Sequence, residues 1–206
     1  MSTTLIIARH GNTFGPADVP TRVGLHTDLP LVESGIEQAK KIGRYLKDNK
    51  MIPDVVYTST LQRTVQTASI AIKESGVSNP FFKLEMFNEI DYGPDENKAE
   101  ADVIARIGEQ AIKDWDAHAK VPDGWKVNPD QVKQNWIDFA EQISAFDDNE
   151  TALIVTSNGI ARFAPYITGD FDAFSKQHSI KLSTGAFGIL KHENGNWHCE
   201  SWNTRP

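Results

Sequence analysis

The chain has 206 residues, 39% of them apolar and 24% charged, which is enough to bury a full core, most simply as one domain spanning 1–206. A net charge of -7 excludes a protein that grips polyanions through a generally basic surface, so no nucleic-acid partner is expected and any phosphate site must be local. The one cysteine, Cys199, provides no internal disulfide framework and no metal cluster by itself, and LIIA is cut short by Arg9 and His10 before it could form a leader or a membrane span. The expectation is a cytoplasmic protein with no cofactor, no metal and no membrane partner.

Strand and helix signals alternate along the chain, which predicts an α/β fold with a mostly parallel sheet. Thr3–Ala8 reads as a β-rich strand, followed by a loop punctuated by Gly11, Gly15, Pro16, Pro20, Gly24 and Pro30. A helix is predicted from Glu33 to Asn49, with Ile36, Ala39, Ile42, Gly43 and Leu46 on one stripe. Asp54–Tyr57 is a second strand, leading into a helix that carries Leu61, Val65, Ala68 and Ile72 and closes at Gly76. Phe81–Met86 is read as a third strand.

Two polar helices follow, over 96–119 and 129–146, the second with Val132, Trp136, Phe139 and Ile143 on its inner face. Thr151–Thr156 is another parallel-type strand, and SNG leads from it toward a helix. The tail reads as a hairpin turned at Asn194-Gly195. The stretch from Asp95 to Asp130, with Trp115 and Trp125, is expected to cover the site, its aromatics serving either core or specificity.

In parallel α/β sheets, ligands bind at the carboxyl ends of the strands. Three segments bring polar residues there: Arg9-His10-Gly11, Ser59 to Arg63, and Thr156-Ser157-Asn158-Gly159. Arginine forks match phosphate oxygens, and a neutral imidazole with one nitrogen held by a carbonyl presents the other as a nucleophile. Taken singly, His10 also reads as a hydrogen-bonded surface residue and Arg63 as part of a solvated helix face.

Together these segments resemble a known pattern. ARHGNT is similar to the R-H-G-x-T signature of the histidine phosphatase superfamily, also called phosphoglycerate mutase-like. TDLPLVESGIEQAKKIG resembles the D-x-P-L-T-E-x-G-x-x-Q-A segment of that family, and YTSTLQRTVQTA its S-x-L-x-R-x-x-x-T-A helix. FNEIDYG resembles the segment bearing its acidic residue. The matches run in order along nearly the whole chain. The resemblance implies a three-layer α/β/α sandwich around a mostly parallel sheet and a small phosphorylated molecule as ligand.

It also implies roles. His10 would take the phosphoryl group as a phosphohistidine, and Arg9 and Arg63, with Thr13, Ser157 and Asn158, would hold phosphate oxygens. Glu89 would protonate the leaving oxygen and then activate water; it is preferred to Glu85 because it stands in frame with Gly93. The family pattern V-[ST]-H-G-G-x-x-R meets VTSNGIAR here. Aligning Val155, Thr156, Gly159 and Arg162 puts Ser157 at the position of a second histidine, whereas a one-residue shift would nominate Asn158 and break the register.

That departure removes a charged donor, with His26 and then His178 as the nearest candidates to replace it. Pro16 departs from an asparagine common in mutase-type members. The expected function is therefore a phosphomonoesterase, with reduced activity as one outcome. The alternative is a non-catalytic or regulatory protein binding a phosphorylated ligand, and a phosphoglycerate mutase ranks last. Substrate and oligomeric state are not legible in the chain.

Overall fold

The computed structural model describes residues 2–79, 81–146 and 150–206, the side chain of residue 146 excepted. Among these residues six strands form one sheet: β1 (Ser2–Arg9), β2 (Val55–Thr58), β3 (Phe81–Lys83), β4 (Thr151–Thr156), β5 (Phe187–Glu193) and β6 (Asn196–Thr204). They lie in the order β3-β2-β4-β1-β5-β6. The first four are mutually parallel, while β5 runs antiparallel to β1 and β6 antiparallel to β5.

Both faces of this sheet are covered, as the continuous apolar runs of its central strands require. On one face, α1 (Glu33–Asp48) and α2 (Gln62–Ser75) pack Ile42, Leu46, Ala68 and Ala71 against Ile6, Ala8, Val56, Leu153 and Val155. On the other, α5 (Pro129–Phe146) sends Trp136, Phe139 and Ile143 onto Leu5, Ile7, Ala152 and Ile154. The alternation of odd and even strand residues between two cores gives the three-layer α/β/α sandwich.

Register decides what the carboxyl rim presents. Arg9 is paired with Thr156, and Thr58 with Val155, so β1, β2 and β4 end level. His10, Ser59 and Ser157, each the first residue beyond its strand, are thereby delivered to one edge. Backbone bonds continue the alignment past the strands: His10 N–H donates to the Thr156 carbonyl at 3.1 Å and Ser59 N–H to that of Val155 at 3.3 Å.

Three elements differ from the sequence expectation. The predicted helix over 96–119 is two, α3 (Glu100–Ile107) and α4 (Glu109–His118), broken at Gly108, whose φ of +85° no right-handed helix accommodates. The third strand stops at Lys83, and Glu85–Phe87 turns as a 3-10 segment that aims the Phe87 carbonyl at Thr156 Oγ1, 2.7 Å away. Beyond Ser157 lies only the single turn α6 (Asn158–Ala161), then a 3-10 segment over Ala164–Thr168 and α7 (Phe171–Gln177), which Asp170 caps. The hairpin turn at Asn194-Gly195 forms as expected, both residues at positive φ.

Candidate active site

The site begins with two consecutive residues leaving β1. Arg9 Nη1 donates to the Leu182 carbonyl at 2.8 Å, while its Nε is buried without a partner among the described residues. His10 is 6% exposed, and its Nδ1 lies 2.7 Å from the Gly11 carbonyl oxygen. A carbonyl only accepts, so Nδ1 carries the hydrogen and Nε2 keeps the lone pair. Burial, reinforced by the charges of Arg63 and Arg9, holds the imidazole well below the usual histidine value of 6.5, hence neutral at physiological pH.

The loop after His10 is fixed by contact with both helices of one layer. A methyl group on Gly11 would meet the Gly35 oxygen at 2.4 Å, and one on Gly35 would meet the Asn12 oxygen at 2.2 Å, so this approach of α1 to the loop requires glycine on each side. Gln38 of α1 accepts the Asn12 N–H at 2.8 Å, and Thr67 of α2 accepts the Gly11 N–H at 3.0 Å. The glycine and glutamine of ESGIEQ and the threonine of QRTVQT thus clamp one loop.

Arg63 lies on the inner face of α2 with Thr64, Thr67, Ala68 and Ala71, fully buried, which overturns the solvated-face alternative. The buried stripe of α2 is polar at its amino end because that end faces the site rather than the sheet. Arg63 donates from Nη1 to the Thr27 carbonyl at 2.9 Å and from Nη2 to that of Gly24 at 3.2 Å, leaving Nε buried without a partner among the described residues. Its fork therefore pins the 24–27 loop.

Glu89 is 5% exposed. Oε1 accepts the Ile90 N–H at 2.9 Å, and Oε2 accepts the Gly159 N–H at 3.1 Å, so the carboxylate is held between two segments. Glu85, by contrast, is exposed on the 3-10 turn. Ser157 is fully buried and precedes α6, its Oγ without a partner among the described residues. Asn158 Oδ1 accepts the Leu182 N–H at 2.9 Å.

A cavity of about 500 Å³ opens over this rim, lined by Arg9, His10, Thr13, Glu89 and Asn158. Arg63 and Ser157, both fully buried, are not among its lining residues. Of the two replacement candidates, His26 is exposed and paired with Asp91 at 3.2 Å, and His178 packs on Phe174. His10 is the one histidine on the wall among the described residues. Trp115 and Trp125 belong to the core, edge to face at 5.2 Å.

The sequence reading missed several wall residues. Arg162 served only to anchor an alignment, yet its guanidinium lines the cavity over the face of Trp115, 3.9 Å from the ring centre, and Nε donates to the Asn158 carbonyl at 3.3 Å. Burial pushes it down to about 10, so it remains a cation at neutral pH. Its place one helical turn beyond Asn158 was the available signal. Tyr92, within FNEIDYG, also reaches the wall, as do Arg22, Asp116 and Lys181, whose chain positions carried no such cue.

The description of the histidine phosphatase superfamily (branch 1) matches residues 5–205. The chain belongs to that superfamily. A 2,3-bisphosphoglycerate-dependent phosphoglycerate mutase of Clavibacter sepedonicus is 31% identical over 136 residues, covering 64% of this chain and 52% of the relative. The matched region thus spans about half the length of such curated relatives. Among solved structures, Bacillus stearothermophilus YhfR superposes with a TM-score of 0.77 at 23% identity, covering 98% of this chain and 96% of the other. The mycobacterial glucosyl-3-phosphoglycerate phosphatase in complex with VO3 gives 0.78 at 20% identity over 98% of each chain. These likenesses establish the shared α/β fold of this histidine phosphatase superfamily member.

Proposed function

We propose that this protein is a phosphomonoesterase that hydrolyses a small phosphorylated substrate through a phosphohistidine at His10. The observation that carries the reading is the placement of that imidazole: Nδ1 is bonded to the Gly11 carbonyl, which leaves the lone pair on Nε2, at a cavity wall shared with Arg9 and Glu89, where burial favours the neutral ring. In the first step Nε2 attacks phosphorus while the bond from phosphorus to the ester oxygen breaks, and Glu89 gives that oxygen a proton. In the second, Glu89 takes a proton from water as its oxygen attacks phosphorus. The phosphorus–nitrogen bond breaks, and phosphate and neutral His10 are restored.

Arg9 and Arg63 offer the electrostatic part. Each has a buried Nε without a partner among the described residues, and a phosphoryl oxygen supplies the acceptor that such donors need. Thr13 and Asn158 add neutral donors at the wall. In this reading Ser157 occupies the place of a second histidine; its unpaired Oγ makes one neutral hydrogen bond where an imidazolium would bring charge. Arg162 keeps a cation on the same wall.

A purely binding protein needs the arginines but has no use for a buried carboxylate held on the same cavity wall as His10, and Glu89 therefore favours turnover. The test is phosphate release from a panel of phosphorylated metabolites, with His10→Ala as control. Release that is equal in the two proteins, or absent throughout, contradicts the proposal.

A further inference from the structure

Beside the catalytic cavity lies a second groove, of about 580 Å³, between the end of α4 and the stretch from α7 to β5. Its charged and titratable lining is Lys113, His118, Lys176, His178 and Lys181, with Asp116 the one acid. That is a basic strip on a chain whose net charge is -7. The groove adjoins the catalytic cavity, Asp116 and Lys181 lining both.

The partition is an ion pair, Lys181 Nζ to Asp116 Oδ2 at 2.7 Å, with Arg162 Nη1 3.7 Å from Oδ1 on the catalytic side. Asp116 is thus already neutralised by two cations. Lys113 has only a 3.7 Å contact with Glu109, both side chains about 70% exposed, a pair of little energetic weight in water. Lys176 has no acidic partner within ion-pair distance among the described residues. The His178 ring is held in place on Phe174, 5.0 Å between centres.

We infer that this groove is a subsite for a second phosphate on the substrate, carried at the far end of the leaving group. The inference rests on the proposed phosphatase reading and narrows its substrate class to bisphosphorylated molecules with a spacer between the two groups. Charge decides it. For a leaving group that extends from His10 over Asp116 and Lys181, the shared residues, the lysines of the groove favour a dianion over a neutral or cationic arm.

The probes are straight-chain diol bisphosphates of increasing length, the matching ω-phosphoalkanoates and the matching alkyl monophosphates. One member of the bisphosphate series should show a KM about tenfold below its monophosphate, equivalent to ~1.4 kcal/mol. The carboxylates should fall between, and the advantage should shrink with added salt. The double variant Lys113→Ala/Lys176→Ala should lose most of the advantage and hydrolyse the monophosphate as before.

Binding of the same bisphosphates to His10→Ala by calorimetry keeps the subsite testable apart from turnover. If no substrate is hydrolysed yet bisphosphates bind the more tightly and need both lysines, the phosphatase reading fails and the subsite stands. Equal affinity for bisphosphate and monophosphate, or an advantage unaffected by the double variant, overturns the subsite.

Discussion

Gly159 and Glu89 are fitted to each other. The Gly159 N–H donates to Glu89 Oε2 at 3.1 Å, and a methyl group on Gly159 would stand 2.2 Å from Oε1 and 3.1 Å from the Tyr92 hydroxyl. The carboxylate is thus seated by backbone from the segment after β4, and no side chain fits between them. Gly159→Ala must displace Glu89 with little reach into either core. Hydrolysis of alkyl phosphates should fall by about 100-fold, the lower range for loss of a positioned acid. An aryl phosphate, whose leaving group needs little protonation, should lose far less, and Glu89→Gln should show the same contrast. Equal loss on both substrates counts against the acid role.

The neutrality of His10 predicts a spectroscopic and a thermodynamic result. In nitrogen NMR of ring-labelled protein, the His10 signals should stay those of a neutral imidazole protonated at Nδ1 as pH falls through 6.5, the ordinary value. Because its folded value is depressed, the unfolded chain takes up a proton below 6.5 that the folded chain refuses. Stability therefore drops as pH falls from 6.5 toward the folded value, by at most about 1.4 kcal/mol per pH unit from this residue. His10→Ala should flatten that part of the profile. Titration of His10 at the ordinary value contradicts both expectations.

Arg63 carries structure and charge together. Arg63→Ala leaves the Gly24 and Thr27 carbonyls without their donors, at about 1–3 kcal/mol for each left unsatisfied. The variant should melt measurably lower, an outcome invisible while Arg63 was read only as an anion fork. Its proposed phosphate role is read separately: inorganic phosphate at ~100 times its Kd stabilises a binding protein by about 2.7 kcal/mol. The wild type should gain this at a concentration where the variant gains almost nothing. An equal gain in both restricts Arg63 to holding the loop.

Ser157→His tests the missing charge. A charge-assisted donor is worth roughly twice a neutral one, and about 1.4 kcal/mol at the transition state is tenfold in rate. Hydrolysis should rise about tenfold when the imidazole is seated toward the phosphoryl group, which a crystal structure of the variant with phosphate checks, since Ser157 is fully enclosed. A correctly seated imidazole with no gain in rate shows that the wild-type pocket, through Arg162 or another donor, already meets the demand.

Much of the rim was legible because strand periodicity and backbone constraints act locally. Arg9 and His10 follow an apolar run that can only be an inner strand, and the glycines at 11 and 35, with Gln38 and Thr67, leave a written trace since each is needed for one close contact. Gly108 was visible too, but its break was masked by apolar spacing that continues in phase across it. What the chain could not disclose depends on side chains converging from distant segments. Arg22, Asp116 and Lys181 join the wall only through tertiary packing, and the burial of Arg63 and Ser157 depends on where the 24–27 loop and α6 come to rest.

The central claim is that His10 Nε2 bonds to phosphorus, and rapid-quench trapping with a phosphoryl-labelled substrate addresses it most directly. The account predicts label on the protein that is lost in acid, retained in base, located by peptide mapping at His10 and absent from His10→Ala. Acid-stable label, or label retained by His10→Ala, contradicts it.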